Sequence, residues 1–234
     1  FYEAIDYYKK QVAKGHDKLA YDNIKAFLTG AAKDIPGITI EAVRLKEVKR
    51  NWQLMEDEEK EILLERLTRF ALTGIQIANI LSVKREQNSI HASLKKIIEN
   101  PYLLCEQYVG DDVDDIISFH SIDHGIIPNP DLGIENLYPK NAAERFRALC
   151  VDVLKRETVH SFVSQTKALF HINNKLSYLP DWKNHQFTPK YFDVDADFIE
   201  EAVKFRKYND ENYLYLNEVH EDERLIESVM NELQ

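Results

Sequence analysis

Ile98-Glu99-Asn100-Pro101-Tyr102-Leu103-Leu104 is the stretch on which the reading of this chain turns. Asn100 is a good helix cap. Pro101 suits a first helical position, since it has no N–H to leave unsatisfied and its φ is already helical. The stretch predicts a new helix starting at Pro101, directly behind another. Upstream, Ile35-Pro36-Gly37-Ile38-Thr39-Ile40-Glu41-Ala42 has the same character. Pro36-Gly37 makes a tight turn between two helical patterns, and glycine permits close approach of another backbone or of a phosphate. Two such joints point to a small helical array of the kind that grips a nucleic-acid backbone.

Working outward, apolar residues recur at helical spacing through most of the first half. Phe1, Ala4, Ile5, Tyr8 and Val12 open the pattern, and Gly15 breaks it. Ala20, Ile24, Phe27, Leu28 and Ala31 form the next helix, and Ala42, Leu45, Val48, Trp52 and Met55 the one after the turn. The acids from Glu56 to Glu61 suit a helix N-terminus and lead into Ile62, Leu63, Leu67 and Phe70. Leu72-Thr73-Gly74 is a second short joint before Ile75, Ala78, Ile80 and Leu81, and Ser89 is expected to cap a helix carrying Ile90, Leu94, Ile97 and Ile98. Residues 111–140 are rich in Asp, Pro and Gly and read as an irregular acidic connector. Beyond it, Ala143 to Val153 and Phe162 to Phe170 read as helices. Asp197 should cap another that reaches Phe205, and Tyr213-Leu214-Tyr215-Leu216 is a short strand. A last helix carries Leu225, Ile226, Val229 and Leu233. Three helices, a turn and a strand are the parts of a winged helix. A further strand is expected around Phe205–Tyr208 or Tyr191–Asp195. The fold class expected is mainly α. A tandem helix-hairpin-helix-like array over 1–110 is followed by the 111–140 connector and by a winged-helix-like unit with a short strand over 141–234.

Composition narrows the function. The 234 residues include 40 acids and 30 Lys and Arg, a net charge of −10. Bulk electrostatics therefore oppose nucleic-acid binding, and any such contact must come from a local patch or a larger assembly. Cys105 and Cys150 are the only cysteines. They read as buried free thiols of a cytoplasmic protein rather than a disulfide framework. No apolar run is long enough for a membrane span, and no signal peptide is visible. Helical patterns run to both ends of the chain, so a piece of a longer protein is expected.

Few residues are candidates for chemistry. Gly37, Ile38 and Thr39 could offer backbone N–H groups to phosphates, with Arg44, Lys46, Lys49 and Arg50 on the following helix and Thr73 and Gly74 at the second joint. The plain alternative is two packed helices with a solvated basic face. Asp111, Asp112, Asp114, Asp115, His120, Asp123 and His124 raise the idea of a metal-dependent enzyme, since His120 and His124 share a helical face. The acids do not follow an EF-hand order, and a solvated loop explains them as well, so no metal ligand is assigned. No nucleophile motif and no G-x-x-x-x-G-K-[ST] phosphate loop occurs, so no catalytic residue and no ATP site is expected in this chain. Tyr213 and Tyr215 could stack bases or pack on the unit's core.

In order along the chain, these features resemble the region preceding the motor domains of RecD-like superfamily 1 DNA helicases. That family has "P-G-I-G-x-x-x-A", a helix with a Trp, "G-L-T-x-x-x-A-x-x-I" and "E-N-P-Y-x-L". Here these positions hold Pro36-Gly37-Ile38-Thr39-Ile40-Glu41-Ala42, Trp52, Ala71-Leu72-Thr73-Gly74-Ile75-Gln76-Ile77-Ala78-Asn79-Ile80 and Glu99-Asn100-Pro101-Tyr102-Leu103-Leu104. The tail, with its strand and the helix around Glu223-Arg224-Leu225-Ile226, is similar too. The chain departs from the pattern at Thr39, a glycine in the family, and at Gly110-Asp111-Asp112-Val113-Asp114-Asp115, where a third hairpin would lie. The resemblance implies an accessory, DNA-engaging or architectural region. Its partners would be single-stranded DNA and the motor domains of the same polypeptide, which would supply ATP and Mg. The alternative carried beside it is a protein-interaction module without DNA contact.

Overall fold

The computed structural model describes residues 10–11, 13–37, 42–110, 112, 114–157 and 160–232. The helical pattern from Phe1 to Val12 lies almost entirely outside them. The described chain is mainly helical, with one three-stranded antiparallel sheet.

Helix α1 (Asp17–Leu28) and helix α2 (Ala42–Leu54) flank the Pro36-Gly37 turn. Gly37 has φ +82°, a conformation that glycine adopts without the Cβ penalty. Helix α3 (Asp57–Glu61) opens on a capping box in which Glu56 and Glu59 exchange side-chain and backbone bonds. It runs into a π turn (Ile62–Arg66) and a 3-10 turn (Leu67–Arg69). The widened turn accompanies burial of three consecutive apolar residues, Ile62, Leu63 and Leu64. Thr73 caps helix α4 (Gly74–Leu81), again in a capping box, here with Gln76.

Ser89 does not cap a helix. It ends the 3-10 turn Arg85–Asn88 with φ 58°, and Ser93 caps helix α5 (Leu94–Glu99) by accepting from Lys96 N. The Asn100-Pro101 joint behaves nearly as expected. Asn100 closes α5, and its Oδ1 accepts from Tyr102 N at 3.1 Å. Helix α6 (Leu103–Gln107) then begins two residues later than expected, because Pro101 and Tyr102 form a turn.

The 111–140 connector is not irregular throughout. Ser118 caps helix α7 (Phe119–Ile126), whose Phe119, Ile122 and Ile126 are buried. The sequence hid this helix because its inward face also carries Asp123 and Gly125, which break the apolar pattern. Gly125 is needed there: a Cβ would lie 2.3 Å from the Arg69 carbonyl oxygen.

Helix α8 (Ala143–Arg156) is buried on nearly every side, and its Phe146, Leu149, Cys150 and Val151 join the core. Strand β1 (Phe162–Ser164) precedes helix α9 (Gln165–Ser177); the sequence suggested one continuous helix. Two short helices follow, α10 (Lys190–Val194) and α11 (Ala196–Glu200). The helix expected to reach Phe205 stops at Glu200, since Val203 to Tyr208 form β2, which pairs with β3 (Glu211–Leu216). Asn209 and Asp210, with φ 47° and 61°, make the two-residue turn between them. The sheet order β1-β3-β2, with helices before and after β1, is winged-helix connectivity. Helix α12 (Asn217–Glu232) closes the described chain.

One cluster of buried apolar residues runs from Ile62 to Leu214. It takes in residues of the helical array, of α7 and of the winged unit, so those parts share a core.

Candidate nucleic-acid interface

On α2, Lys46, Lys49 and Arg50 are all exposed. Spacings of three and four residues place them along one side of a helix, about 5–6 Å apart at Cβ. Arg44 lies on the same helix, and Ile38 and Thr39 fall outside the described residues. The exposed Gly37 turn stands just upstream. The first joint thus combines a solvent-facing turn with a row of solvated cations.

The second joint is built differently. Thr73 Oγ1 accepts from Gln76 N at 3.2 Å, and Thr73 N donates to Gln76 Oε1 at 3.0 Å. The Thr73 backbone donor is therefore already used. Gly74 is the first residue of α4, and its neighbour Gln76 is buried and also donates to Asp115 Oδ1. Nearby cations serve backbone carbonyls: Arg66 donates to Ile98 O, Arg69 to Glu135 O and Arg85 to Ile80 O. Thr73 and Gly74 thus serve to open α4.

The winged unit is a poor polyanion surface. Its short helices α10 and α11 and the residues around them carry Asp193, Asp195, Asp197, Glu200 and Glu201 against Lys190. In the hairpin, Lys204 pairs with Glu200 at 3.4 Å, Lys207 with Asp210 at 3.1 Å, and Arg206 donates to His220. Leu214 points into the core, whereas Tyr213 and Tyr215 cluster with Phe162 on the other face, at 5.5 and 5.3 Å.

The strongest electrostatic feature is internal and was not foreseen. Asp123 and Arg145 are both fully buried. Arg145 Nε donates to Asp123 Oδ1 at 2.8 Å, Tyr102 OH donates to the same oxygen at 2.6 Å, and Lys183 Nζ lies 3.0 Å from Oδ2. Burial alone would raise the Asp123 carboxyl, but the Arg145 charge and bonds, with Lys183 and Tyr102, outweigh it and hold the group below its ordinary range. Two residues on, Arg147 forks onto Glu106 at 3.2 and 2.9 Å, reaches Glu201 at 2.9 Å and covers the Phe198 ring at 4.0 Å. Burial raises the Glu106 carboxyl despite that arginine. Two arginines beside and among the buried apolar residues from Phe146 to Val151 were the available signal, because buried charges need partners.

This network also bears on the metal idea. Asp123 spends both oxygens on Arg145, Lys183 and Tyr102, and Asp115 accepts from Tyr108 at 2.7 Å. The His120 and His124 rings lie 6.2 Å apart, and His124 Nδ1 is 3.1 Å from the His120 carbonyl oxygen. Among the described residues, no group of three or more His, Cys, Asp or Glu is placed to hold a metal ion. Cys105 and Cys150 are buried free thiols, and burial pushes both well up, which keeps them protonated and unreactive. No helix among the described residues is long and apolar enough to cross a membrane.

Comparison with family models, with curated proteins and with solved structures finds no match to this chain.

Proposed function

We propose that this chain is the DNA-engaging, architectural region of a larger ATP-dependent DNA helicase of the RecD-like kind, working in the cytoplasm. It touches the sugar-phosphate backbone without reading sequence. ATP and Mg belong to motor domains elsewhere on the same polypeptide, and this chain's residues serve only to hold the strand. The observation that carries the reading is the exposed row Lys46, Lys49 and Arg50, downstream of the exposed Gly37 turn in the chain. Three phosphate contacts to a single strand give a salt slope of roughly −2 in log K against log salt. Titration of single-stranded DNA at low and moderate salt tests this. Lys46→Glu with Lys49→Glu should abolish most of the affinity, and binding that ignores these changes ends the reading.

A second reading rests on α12. Leu225, Ile226, Val229 and Met230 are between 48% and 64% exposed. The helix also carries Glu218, Glu221, Asp222, Glu223, Glu227 and Glu232 against Arg224. An apolar stripe on an acidic helix suits a protein partner with an apolar groove rimmed by lysine or arginine. On this reading the partner is the motor domains of the same polypeptide. Charge reversal on α2 leaves such an interaction intact, which separates the two readings.

A further inference from the structure

A groove of about 790 Å³ opens beside the basic row. Phe27 from α1, Trp52 from α2 and Leu64 from the π turn give it an apolar lining. Lys49 belongs both to this lining and to the solvated row, with Nζ 5.6 Å from the centre of the Phe27 ring. Thr29, Gln53 and Glu61 add hydroxyl, amide and carboxylate groups. Phe27 is buried, whereas Trp52 is half-buried and so still presents ring surface to the groove.

These features together suit a flat, aromatic group with polar edges that is attached to a negative charge. A nucleobase on its sugar-phosphate has that composition. Aromatic side chains stack on any base, and the amide of Gln53 can both donate to and accept from a base edge. A stacked duplex cannot deliver a base into the groove, because its bases are paired and covered. A single strand can. Its phosphates would run along Lys46, Lys49 and Arg50 while one base turns inward against Trp52. We infer that the Phe27–Trp52 groove is a base-stacking slot for single-stranded nucleic acid. The inference deepens the DNA-contact reading above and rests on it, adding strand selectivity that cations alone cannot provide.

The two Trp residues of the chain, Trp52 and Trp182, make the test direct. In a Trp182→Phe background, Trp52 is the only tryptophan emitter. Oligothymidylate and a fully abasic strand of equal length serve as probes. The slot predicts quenching of Trp52 by oligothymidylate alone and binding about 10-fold tighter than to the abasic strand, the value of one stacked base. Trp52→Ala removes that difference, and Trp52→Phe, which keeps a stacking ring and fills the site, retains most of it. Equal affinity for the two strands with Trp52 unquenched overturns the slot. If Lys46→Glu then still weakens both strands, the backbone reading survives without it. No binding of either strand at low salt overturns both.

Discussion

On α2, Lys46, Lys49 and Arg50 stand in solvent, while on α8, Arg145 and Arg147 are buried and each closes on carboxylates. Both helices look basic in the sequence, yet the central arginines of the second are spent inside the fold. A buried arginine must find its counter-charge within the fold, because leaving it unpaired costs several kcal/mol. An exposed lysine pays little to change partners. The difference teaches that burial and pairing, rather than the number of cations, decide where an acidic chain could hold DNA.

Substitution is the sharpest way to break that comparison. Arg145→Ala leaves Asp123 short of its main partner and should cost about 3–5 kcal/mol in urea denaturation, whereas Lys49→Ala should stay within about 0.5 kcal/mol. Equal costs would erase the distinction between the two helices. Next in size, Gly125→Ala drives a methyl group against the Arg69 backbone where α7 crosses the 3-10 turn. An overpacking cost of about 1–3 kcal/mol is expected by the same measurement, and a silent substitution would mean that the crossing is looser than described.

Acid titration separates the regions further. The folded state holds the Asp123 carboxyl below its ordinary value of 3.8. Its contribution is fully present above that value and is lost as pH falls through the lower folded value. Asp123→Asn should therefore flatten the acid limb of stability against pH. Glu106 has the opposite sign. Its folded-state value lies above 4.5, so its ionisation weakens the fold as pH rises from 4.5 through that higher value. On α2, Lys49→Ala should lower the salt slope of single-strand binding by about 0.7 with little change in melting temperature. Smallest of all, Leu225→Ser on α12 should shift stability by less than about 0.5 kcal/mol, since that side chain already meets water. A larger loss would show that the stripe is covered.

Much of the architecture was legible because local chemistry and tertiary structure agree. Asn100-Pro101 and the acidic run before Ile62 end or begin helices through capping and fixed φ, and Gly37 takes the left-handed φ of a turn; these are properties of a few adjacent residues. The sequence was less informative where long-range packing overrides the local pattern. Phe162–Ser164 becomes a strand because it pairs with β3, and nothing adjacent in the chain specifies that pairing. Val203–Tyr208 was partly legible, since a strand was expected around Phe205–Tyr208 and the Asn209-Asp210 turn folds it back onto β3. On α4 the apolar Ile75 faces solvent while Gln76 is buried, because Asp115 and Ile116 satisfy its amide from a distant loop. The basic row on α2 could be read directly. Its groove could not, since Phe27 and Leu64 reach Trp52 only after two turns have folded.

The paired ions of α8 also have a mechanical meaning. Apolar surfaces can slide past one another by exchanging rotamers, but a bidentate ion pair has one register. Arg145 fixes α8 to α7, and Arg147 fixes it to α6 and to the end of α11. These pairs therefore set the register of α8 against the helices packed on either side of it.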